Sequence, residues 1–252
     1  MLSIVIPVHN GRLSIAKTLD AYVGYFSTEY GHPFEILVVP NGCTDGTCQV
    51  LEEYMARFPQ VVTREFDAKL GKGGALIEGF RATRGEVLAF VDADGATGPY
   101  ELHRLINELG DDDGVVGSRW LPGSNVVVKQ TLNRRIASRG FNLLVRVLFG
   151  LPFKDTQCGA KVFRKPAIDD VLPELHTTDF AFDVELLHRL NRKGYRVREV
   201  PTTWEDQDGS TLRVRRAVPR MFLSVIRLRI LDSRFQWFAR KRIWGHIYRK
   251  LK

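Results

Sequence analysis

Short apolar runs alternate with longer helical patterns over the first half of the chain, and this alternation limits the fold more than any other sequence feature. The runs that predict strands are 2–8, 34–39, 61–66, 87–91 and 115–117, and the helical patterns between them are 13–26, 45–58, 72–83 and 99–109. Strands that alternate with helices at this spacing predict an α/β fold, with a mostly parallel sheet and helices on both faces. Because such sheets bind ligands beyond the carboxyl ends of their strands, we expect functional residues directly after each strand.

The second half of the chain is less regular. The predicted elements are a loop over 120–130, an amphipathic helix over 132–149, a strand over 160–163, a helix over 183–192, a strand over 196–200, a polar loop over 201–212 and basic helices over 219–251. No apolar run reaches the roughly 18 residues of a spanning helix, so we expect no transmembrane segment. The N-terminus begins with a buried-strand pattern and does not resemble a signal peptide.

Two aspartates follow the predicted strand 87–91. Asp92 and Asp94 are one residue apart, a spacing that lets two carboxylates reach one hard cation through their oxygen atoms. Mg²⁺ or Mn²⁺ bound there would neutralise a diphosphate leaving group. The alternative is that Asp94 and Gly95 merely form a turn, but a position at the carboxyl end of a strand favours a functional pair.

Two glycine-containing loops follow the second and third predicted strands. In residues 40–47 a tight turn opens a helix, which favours contact between backbone N–H groups and a nucleotide. In residues 69–75 glycines would let the backbone approach a ligand and Lys72 would supply positive charge, although the spacing is not that of a Walker loop. The alternatives are a well-capped connection in the first loop and a flexible turn in the second.

Arginines occur at two places that could face one cleft. Arg119 follows the predicted strand 115–117, and Arg134, Ser138 and Arg139 lie near the start of the amphipathic helix. Because a planar guanidinium binds phosphate through paired hydrogen bonds, these residues favour a second phosphate site besides that of a donor. The alternative is a basic helix face in water.

Together these motifs resemble the family 2 glycosyltransferases with a GT-A fold, a Rossmann-like α/β architecture. Within that family they look like the branch of dolichyl-phosphate β-glucosyltransferases and dolichyl-phosphate mannose synthases. The stretches that carry the resemblance are 4–7, 41–47, 71–75, 92–97, 117–119, 155–159 and 180–187. The resemblance covers roughly residues 2–212, and the sequences of 92–97 and 155–159 favour the glucosyl branch.

The resemblance also implies roles for individual residues. Those that would line the nucleoside pocket are Pro7, Asn10 and Asn41. Those that would bind the metal and the donor diphosphate are Asp92 and Asp94, and the loop that would close over the donor contains Ser210. Those that would hold the acceptor phosphate are Arg119, Arg134 and Ser138, and those that would shape the sugar and acceptor cleft are Asp155, Gln157 and Glu185.

Two positions depart from the family pattern. Asn41 stands where the family often has an aspartate that accepts from the uracil N–H, so the amide oxygen of Asn41 would have to accept instead. Thr211 follows Ser210 where the family usually has a lysine, so a cation would have to come from one of the arginines at 213, 215 and 216.

The C-terminal residues differ sharply in charge from the rest of the chain. Residues 211–252 hold 13 of the 37 Lys and Arg residues and one of the 29 acids, Asp232. Trp244, Tyr248 and neighbouring apolar residues would fall on one face of a helix, which is typical of a helix that lies on an anionic membrane. We therefore predict a catalytic domain over 1–212 and a basic amphipathic membrane-surface tail over 213–252. The alternative is a helix packed on the body.

The predicted function is that of an inverting, metal-dependent hexosyltransferase. It would move a hexose, with UDP-glucose as the preferred donor, to a polyprenyl (dolichyl or undecaprenyl) phosphate at the membrane surface. A lipid phosphate is already ionised near neutral pH, so we assign no general base, although Asp155 or Glu185 could be argued for. The alternatives are a GDP-mannose donor, an acceptor in solution and, in a different class, a basic nucleic-acid-binding protein, for which no motif appears. Three cysteines without paired spacing favour reduced residues in the cytosol. Together with the basic tail, this predicts a cytoplasmic protein that is attached peripherally to the membrane.

Overall fold

Seven of nine strands form one central sheet in the computed structural model, which describes residues 1–127, 132–205 and 214–232, with the backbone alone at 132–137, 214–220 and 231. The strands are β1 (Leu2–Val8), β2 (Phe34–Pro40), β3 (Val61–Thr63), β4 (Val87–Phe90), β5 (Gly114–Ser118), β6 (Asn125–Val126), β7 (Lys161–Arg164), β8 (Val197–Pro201) and β9 (Thr203–Trp204). The order in the sheet is β3-β2-β1-β4-β7-β5-β8, and β6 pairs with β9 separately. All neighbours in the large sheet are parallel except β7, which is antiparallel to both β4 and β5.

Helices cover both faces of this sheet. They are α1 (Arg12–Glu29), α2 (Thr47–Arg57), α3 (Gly71–Ala82), α4 (Pro99–Asn107), α5 (Leu132–Phe149), α6 (Lys165–Val171), α7 (Phe182–Arg192) and α8 (Val214–Leu231). Alternate side chains of the strands point to opposite faces. Thus Val5 packs in the core under α3 and α7, whereas Ile4 and Ile6 pack in the core under α1 and α2. The predicted α/β fold with a mostly parallel sheet and helices on both faces is confirmed.

Several element boundaries differ from the prediction. Strand β3 ends at Thr63, and beyond it Phe66 forms an isolated parallel bridge with Asn41. The predicted loops 120–130 and 201–212 contain β6 and β9, two-residue strands too short to give a period-two signal. Helix α6 was not predicted, although the proline in its first turn is a start signal.

The first part of the predicted basic tail packs on the body. Helix α8 buries Val225 and Leu228 in the core that also contains α7. Ser224 donates to Asp179 Oδ2 at 2.5 Å, and Asp232, just after α8, accepts from Arg189 at 2.6 Å. In α8, the alternative of a helix packed on the body therefore describes the structure. Residues 233–252, which include the predicted membrane-facing Trp244 and Tyr248, lie outside the described residues.

The lengths and hydropathy of the helices bear on membrane insertion. Within residues 1–127, 132–205 and 214–232, no helix has the length and apolar character that crossing a bilayer requires.

Candidate active site

The pair of aspartates lies at the carboxyl edge of the sheet, directly after β4, as predicted. The turn that carries it is held by its own backbone and by α1: Asp94 Oδ1 accepts from Ala96 N at 3.0 Å, and Thr18 donates to the carbonyl of Ala93 at 3.1 Å. The side chain of Asp92 is 36% exposed, so it can meet a ligand from solvent. These contacts fix the two carboxylates at the edge where a ligand is expected.

Gly159 lies so close to the Asp92 side chain that any larger residue would require the carboxylate to move. A Cβ at this position would lie 2.1 Å from Asp92 Oδ2 and 2.7 Å from its Cγ. The lack of a Cβ at Gly159 therefore leaves room for the Asp92 carboxylate in its observed position. The sequence prediction gave Gly159 no role of its own, because its contact with Asp92 joins residues that are far apart in the chain.

Lys72, in the first turn of α3, pairs with Asp92 and with a second carboxylate. Its Nζ lies 2.8 Å from Asp92 Oδ1 and 3.5 Å from Asp183 Oδ2. Burial would lower the pKa of Lys72, but the carboxylates of Asp183 and Asp92 outweigh it and raise the pKa above its usual value. The two carboxylates therefore favour the protonated form of Lys72.

Two carboxylates with this placement fit a cation that is shared with a diphosphate. Mg²⁺ in particular is commonly held by one or two carboxylates, with phosphate oxygens and water completing its coordination. Asp92 and Asp94 supply this number, and Asp92 is open to solvent. Throughout the part of the chain that the structure describes, no group of three or more His, Cys, Asp or Glu could hold a metal by itself.

The side chain of Asn41 joins the loops around the predicted nucleoside pocket. It is 2% exposed; its Nδ2 donates to Val8 O at 2.9 Å, and its Oδ1 accepts from Leu70 N at 3.1 Å and Gly71 N at 3.3 Å. Both acceptor positions of Oδ1 are thus used within the chain. In the structure, Asn41 Oδ1 therefore binds the protein's own backbone, and its expected contact with a base stays a prediction.

Two further residues of that pocket lie at the end of β1. Asn10 has a left-handed backbone, φ 52°, and its Oδ1 accepts from Thr44 N at 2.7 Å. This bond joins the loop after β1 to the loop after β2. Pro7 is half-buried within β1, opposite Val39. The expected nucleoside pocket is therefore bounded by the ends of two adjacent strands.

The glycines at the start of α3 allow another segment of the protein's own backbone to pack closely against the helix. A Cβ at Gly71 would lie 2.3 Å from Thr178 O, and one at Gly73 would lie 2.3 Å from Thr177 O. The expectation that these glycines let the backbone approach a ligand is therefore corrected. Glu185 holds the same segment, because its Oε2 accepts from the N–H groups of His176 at 3.0 Å and Thr177 at 2.7 Å. Glu185 is 2% exposed, so it acts on the site through this segment.

Arg119 and Asp155, predicted separately, form one ion pair. Nε and Nη2 of Arg119 lie 2.7 and 2.9 Å from the two carboxylate oxygens, and the Arg119 backbone N–H donates at 3.0 Å. Burial would raise the pKa of Asp155, but Arg119 outweighs it and holds this pKa below its usual value. Asp155 is thus a buried, ionised partner, which does not suit the role of a general base. The guanidinium of Arg119 also lies 5.3 Å from the centre of the Trp204 ring.

Two buried donors lie beside this ion pair in the sequence. Gln157 Nε2 and Trp120 Nε1 have no hydrogen-bond partner among the described residues. Buried donors are rarely left unpaired, so both are candidates for ligand contact. Gln157 was predicted, whereas Trp120, whose ring lies 5.0 Å from the Arg139 guanidinium, was not.

The remaining predicted residues are described only in part. Ser138 is half-buried in α5, and its carbonyl accepts from Asn142 at 3.0 Å. Arg134 lies in α5, but its side chain is outside the described residues, as is Ser210. The structure thus brings together Lys72 with Asp92, and Arg119 with Asp155.

Residues 3–172 match the family described as Glycosyl transferase family 2. The chain belongs to this family. A similar curated relative is the Dolichyl-phosphate beta-glucosyltransferase of Saccharomyces cerevisiae, which is 34% identical over 230 residues that cover 84% of this chain and 69% of the relative. The resemblance stated from the sequence motifs is therefore confirmed, and the chain is a glycosyltransferase.

Solved structures show the fold of this glycosyltransferase in relatives of low sequence identity. A mannosyltransferase of Pyrobaculum calidifontis in complex with GDP-Man and Mn²⁺ gives a TM-score of 0.65 at 17% identity, over 92% of this chain and 65% of that chain. Glucosyl-3-phosphoglycerate synthase of Mycobacterium tuberculosis, with Mn²⁺, UDP-Glc and phosphoglyceric acid, gives 0.66 at 17% identity, over 91% and 79%. The predicted GT-A architecture is confirmed.

Proposed function

We propose that this glycosyltransferase moves glucose from UDP-glucose to a polyprenyl phosphate, with Mg²⁺ or Mn²⁺ as cofactor. The observation that carries the proposal is the pair Asp92 and Asp94 at the end of β4, with Asp92 exposed beside Gly159. The similarity to Dolichyl-phosphate beta-glucosyltransferase supports the acceptor and the sugar. The two solved relatives, which hold Mn²⁺ with a nucleotide sugar, support the cofactor and the donor class.

Asp92 and Asp94 would hold the cation, which would neutralise the diphosphate as it leaves. Lys72, whose Nζ lies 2.8 Å from Asp92, adds a positive charge beside the cation and would help to stabilise the leaving diphosphate. The protein's further task is to align the acceptor with the anomeric carbon. A single in-line displacement inverts the anomeric carbon and gives a β-linked product from an α-linked donor.

The acceptor phosphate needs cations more than it needs a base. Asp155 is paired with Arg119, and Glu185 accepts two backbone N–H groups, so neither carboxylate is placed to remove a proton. An ionised phosphate oxygen is a nucleophile without deprotonation. We assign its binding to Arg119, Arg134 and Ser138, with Gln157 as an additional donor.

Peripheral attachment to the cytoplasmic face of a membrane completes the proposal. Leu143 and Val147, four residues apart on α5, are 60% and 74% exposed, and Phe222 of the neighbouring α8 is 43% exposed. Arg139 and Arg146 are exposed on the same helix α5. Apolar side chains interleaved with arginines suit the interface of an anionic bilayer. We propose that this surface acts together with the basic residues 233–252.

A donor screen tests the proposal. Purified protein is incubated with Mn²⁺, a short polyprenyl phosphate and either UDP-glucose or GDP-mannose, and the product mass is measured. A hexosyl phosphate lipid from UDP-glucose, with a β anomer by NMR, is the expected result. Transfer only from GDP-mannose would refute UDP-glucose as the donor. An α anomer would refute the single displacement. No transfer to the lipid from either donor would refute the polyprenyl phosphate as the acceptor.

A further inference from the structure

Four side chains of alternating charge run from the core to Asp92. Lys161 Nζ lies 2.5 Å from Asp183 Oδ1, and Lys72 Nζ lies between Asp183 Oδ2, at 3.5 Å, and Asp92 Oδ1, at 2.8 Å. Lys161 and Asp183 are 0% and 1% exposed. A buried ion pair is often no more stable than apolar residues of the same volume, because both charges lose their hydration. Stability alone therefore does not explain the pair.

The two oxygens of Asp183 differ in their contacts. Oδ1 receives a hydrogen bond from Lys161, which also donates to Cys158 O at 2.6 Å and is thereby fixed. Oδ2 is buried and has no hydrogen-bond partner among the described residues. Lys72 Nζ lies 3.5 Å from Oδ2, which is too long for a good hydrogen bond. The core thus presents one carboxylate oxygen toward Lys72 that is not yet hydrogen-bonded.

Lys72 lies where it competes with a divalent cation for Asp92. An ammonium and a metal ion on the same oxygen repel each other, and the flexible stem of lysine allows Nζ to move by about 1 Å at little cost. We infer that Lys72 moves from Asp92 to Asp183 Oδ2 when a divalent cation binds Asp92, and that Lys161 fixes Asp183 for this purpose. The inference rests on the proposed function, since it takes Asp92 as a ligand of the cation.

Lys72, Asp183 and Lys161 are positioning residues in this scheme. Lys72 occupies Asp92 until the cation arrives, and it keeps its charge in the site afterwards. Asp183 lowers the cost of cation binding because it gives Lys72 an alternative partner. Mutations at Lys72 and Asp183 should therefore change cation affinity in opposite directions.

The test measures Mn²⁺ binding to the full chain without nucleotide, from the EPR signal of free Mn²⁺. K72Q removes the competitor and should tighten binding about tenfold, whereas D183N leaves Lys72 on Asp92 and should weaken binding about tenfold. In the K72Q background, D183N should have no further effect, because the coupling acts through Lys72. K69Q is the matched control: Lys69 is an exposed lysine in the same loop, and its loss should change the affinity less than about twofold.

Other outcomes separate the inference from the proposed function. If D92N binds Mn²⁺ as the wild type does, the cation site itself is wrong. If D92N abolishes binding but K72Q and D183N shift the affinity in the same direction, or D183N keeps its effect in the K72Q background, the movement of Lys72 is refuted.

A second variant is needed to separate an effect on cation binding from a failure to fold. D183N leaves Lys161 buried without its carboxylate and can fail to fold, whereas K161M/D183N removes both buried charges and leaves the net charge unchanged. This double variant should keep the wild-type circular dichroism spectrum and weaken Mn²⁺ binding about tenfold, as D183N does. A folded K161M/D183N protein with wild-type affinity would refute the inference.

Discussion

Replacing Gly159 by alanine tests how the Asp92 carboxylate is positioned. The added Cβ would lie 2.1 Å from Asp92 Oδ2, whereas ordinary contacts begin at 3.4 Å, so the carboxylate must move by about 1 Å or more. Asp92 is 36% exposed and can rotate toward solvent, which relieves the overlap without disturbing the core. We expect this rotation also to disturb the contact of 2.8 Å between Asp92 Oδ1 and Lys72 Nζ.

The expected effects on rate and stability are different in size. A displacement of about 1 Å in a positioned group costs on the order of 100-fold in rate. Loss of a partly exposed ion pair such as Lys72–Asp92 costs about 1 kcal/mol or less in the free energy of unfolding. G159A should therefore be folded and nearly as stable as the wild type, with about 100-fold lower kcat/KM for the donor.

Initial transfer rates at varied donor concentration, together with thermal unfolding, measure the two effects. G24A is the matched control: a Cβ at Gly24, in α1, meets nothing within 4 Å. That variant should keep full activity and gain about 0.5 to 1 kcal/mol in stability, since alanine is the better helix former. Wild-type activity in G159A would refute the assignment of Gly159 and weaken that of Asp92. Loss of folding in G159A would contradict the rotation described above.

Three further predictions concern single carboxylates and one amide. D92A or D94A should lose most turnover while lipid binding is retained, and excess chelator should do the same to the wild type; full activity in either case would contradict the cation site. Asp232 accepts hydrogen bonds from basic residues of α7. Burial would raise the pKa of Asp232, but these partners outweigh burial and hold the pKa below its usual value. Its stabilising contribution is therefore present above the unfolded-state pKa and is lost as the pH falls through the folded-state pKa. D232N should unfold about 2 kcal/mol more easily at pH 7 in a urea titration, and the difference from the wild type should shrink in acid; an equal difference at all pH values would count against this. N41D replaces the donor that faces Val8 O by an acceptor and should cost about 1 to 3 kcal/mol by the same titration, so a stable N41D would show that the loops do not depend on this amide.

The sequence was sufficient for the features that depend on local pattern. Period and spacing placed β1, β2 and β4 within one residue of their ends and located Asp92 and Asp94 at the edge of the sheet. These succeed because a buried strand must be apolar and a ligand site in this architecture follows a strand. The same reasoning needs no knowledge of which strands are neighbours.

Contacts between segments that are far apart in the chain could not be predicted from the sequence. Arg119 and Asp155 were assigned separate roles, and the pair of Lys161 with Asp183 was not foreseen, because each pair joins elements whose adjacency only the strand order reveals. At the glycines the sequence predicted a contact with a ligand where the structure has a contact within the chain. A glycine permits any close approach, so the sequence at Gly73 could not distinguish a ligand from the carbonyl of Thr177.

The reversed direction of β7 changes which residues can reach the ligand. In a parallel strand the segment after the strand lies at the binding edge, but in β7 that edge receives the segment before it, since Lys161 lies opposite Phe90 at the end of β4. One inverted strand thus delivers residues 155–160 into the cleft and sends α6 to the far edge. Sequence change can therefore accumulate in α6 without reaching the chemistry, whereas residues 155–160 are confined between two strands that carry the site.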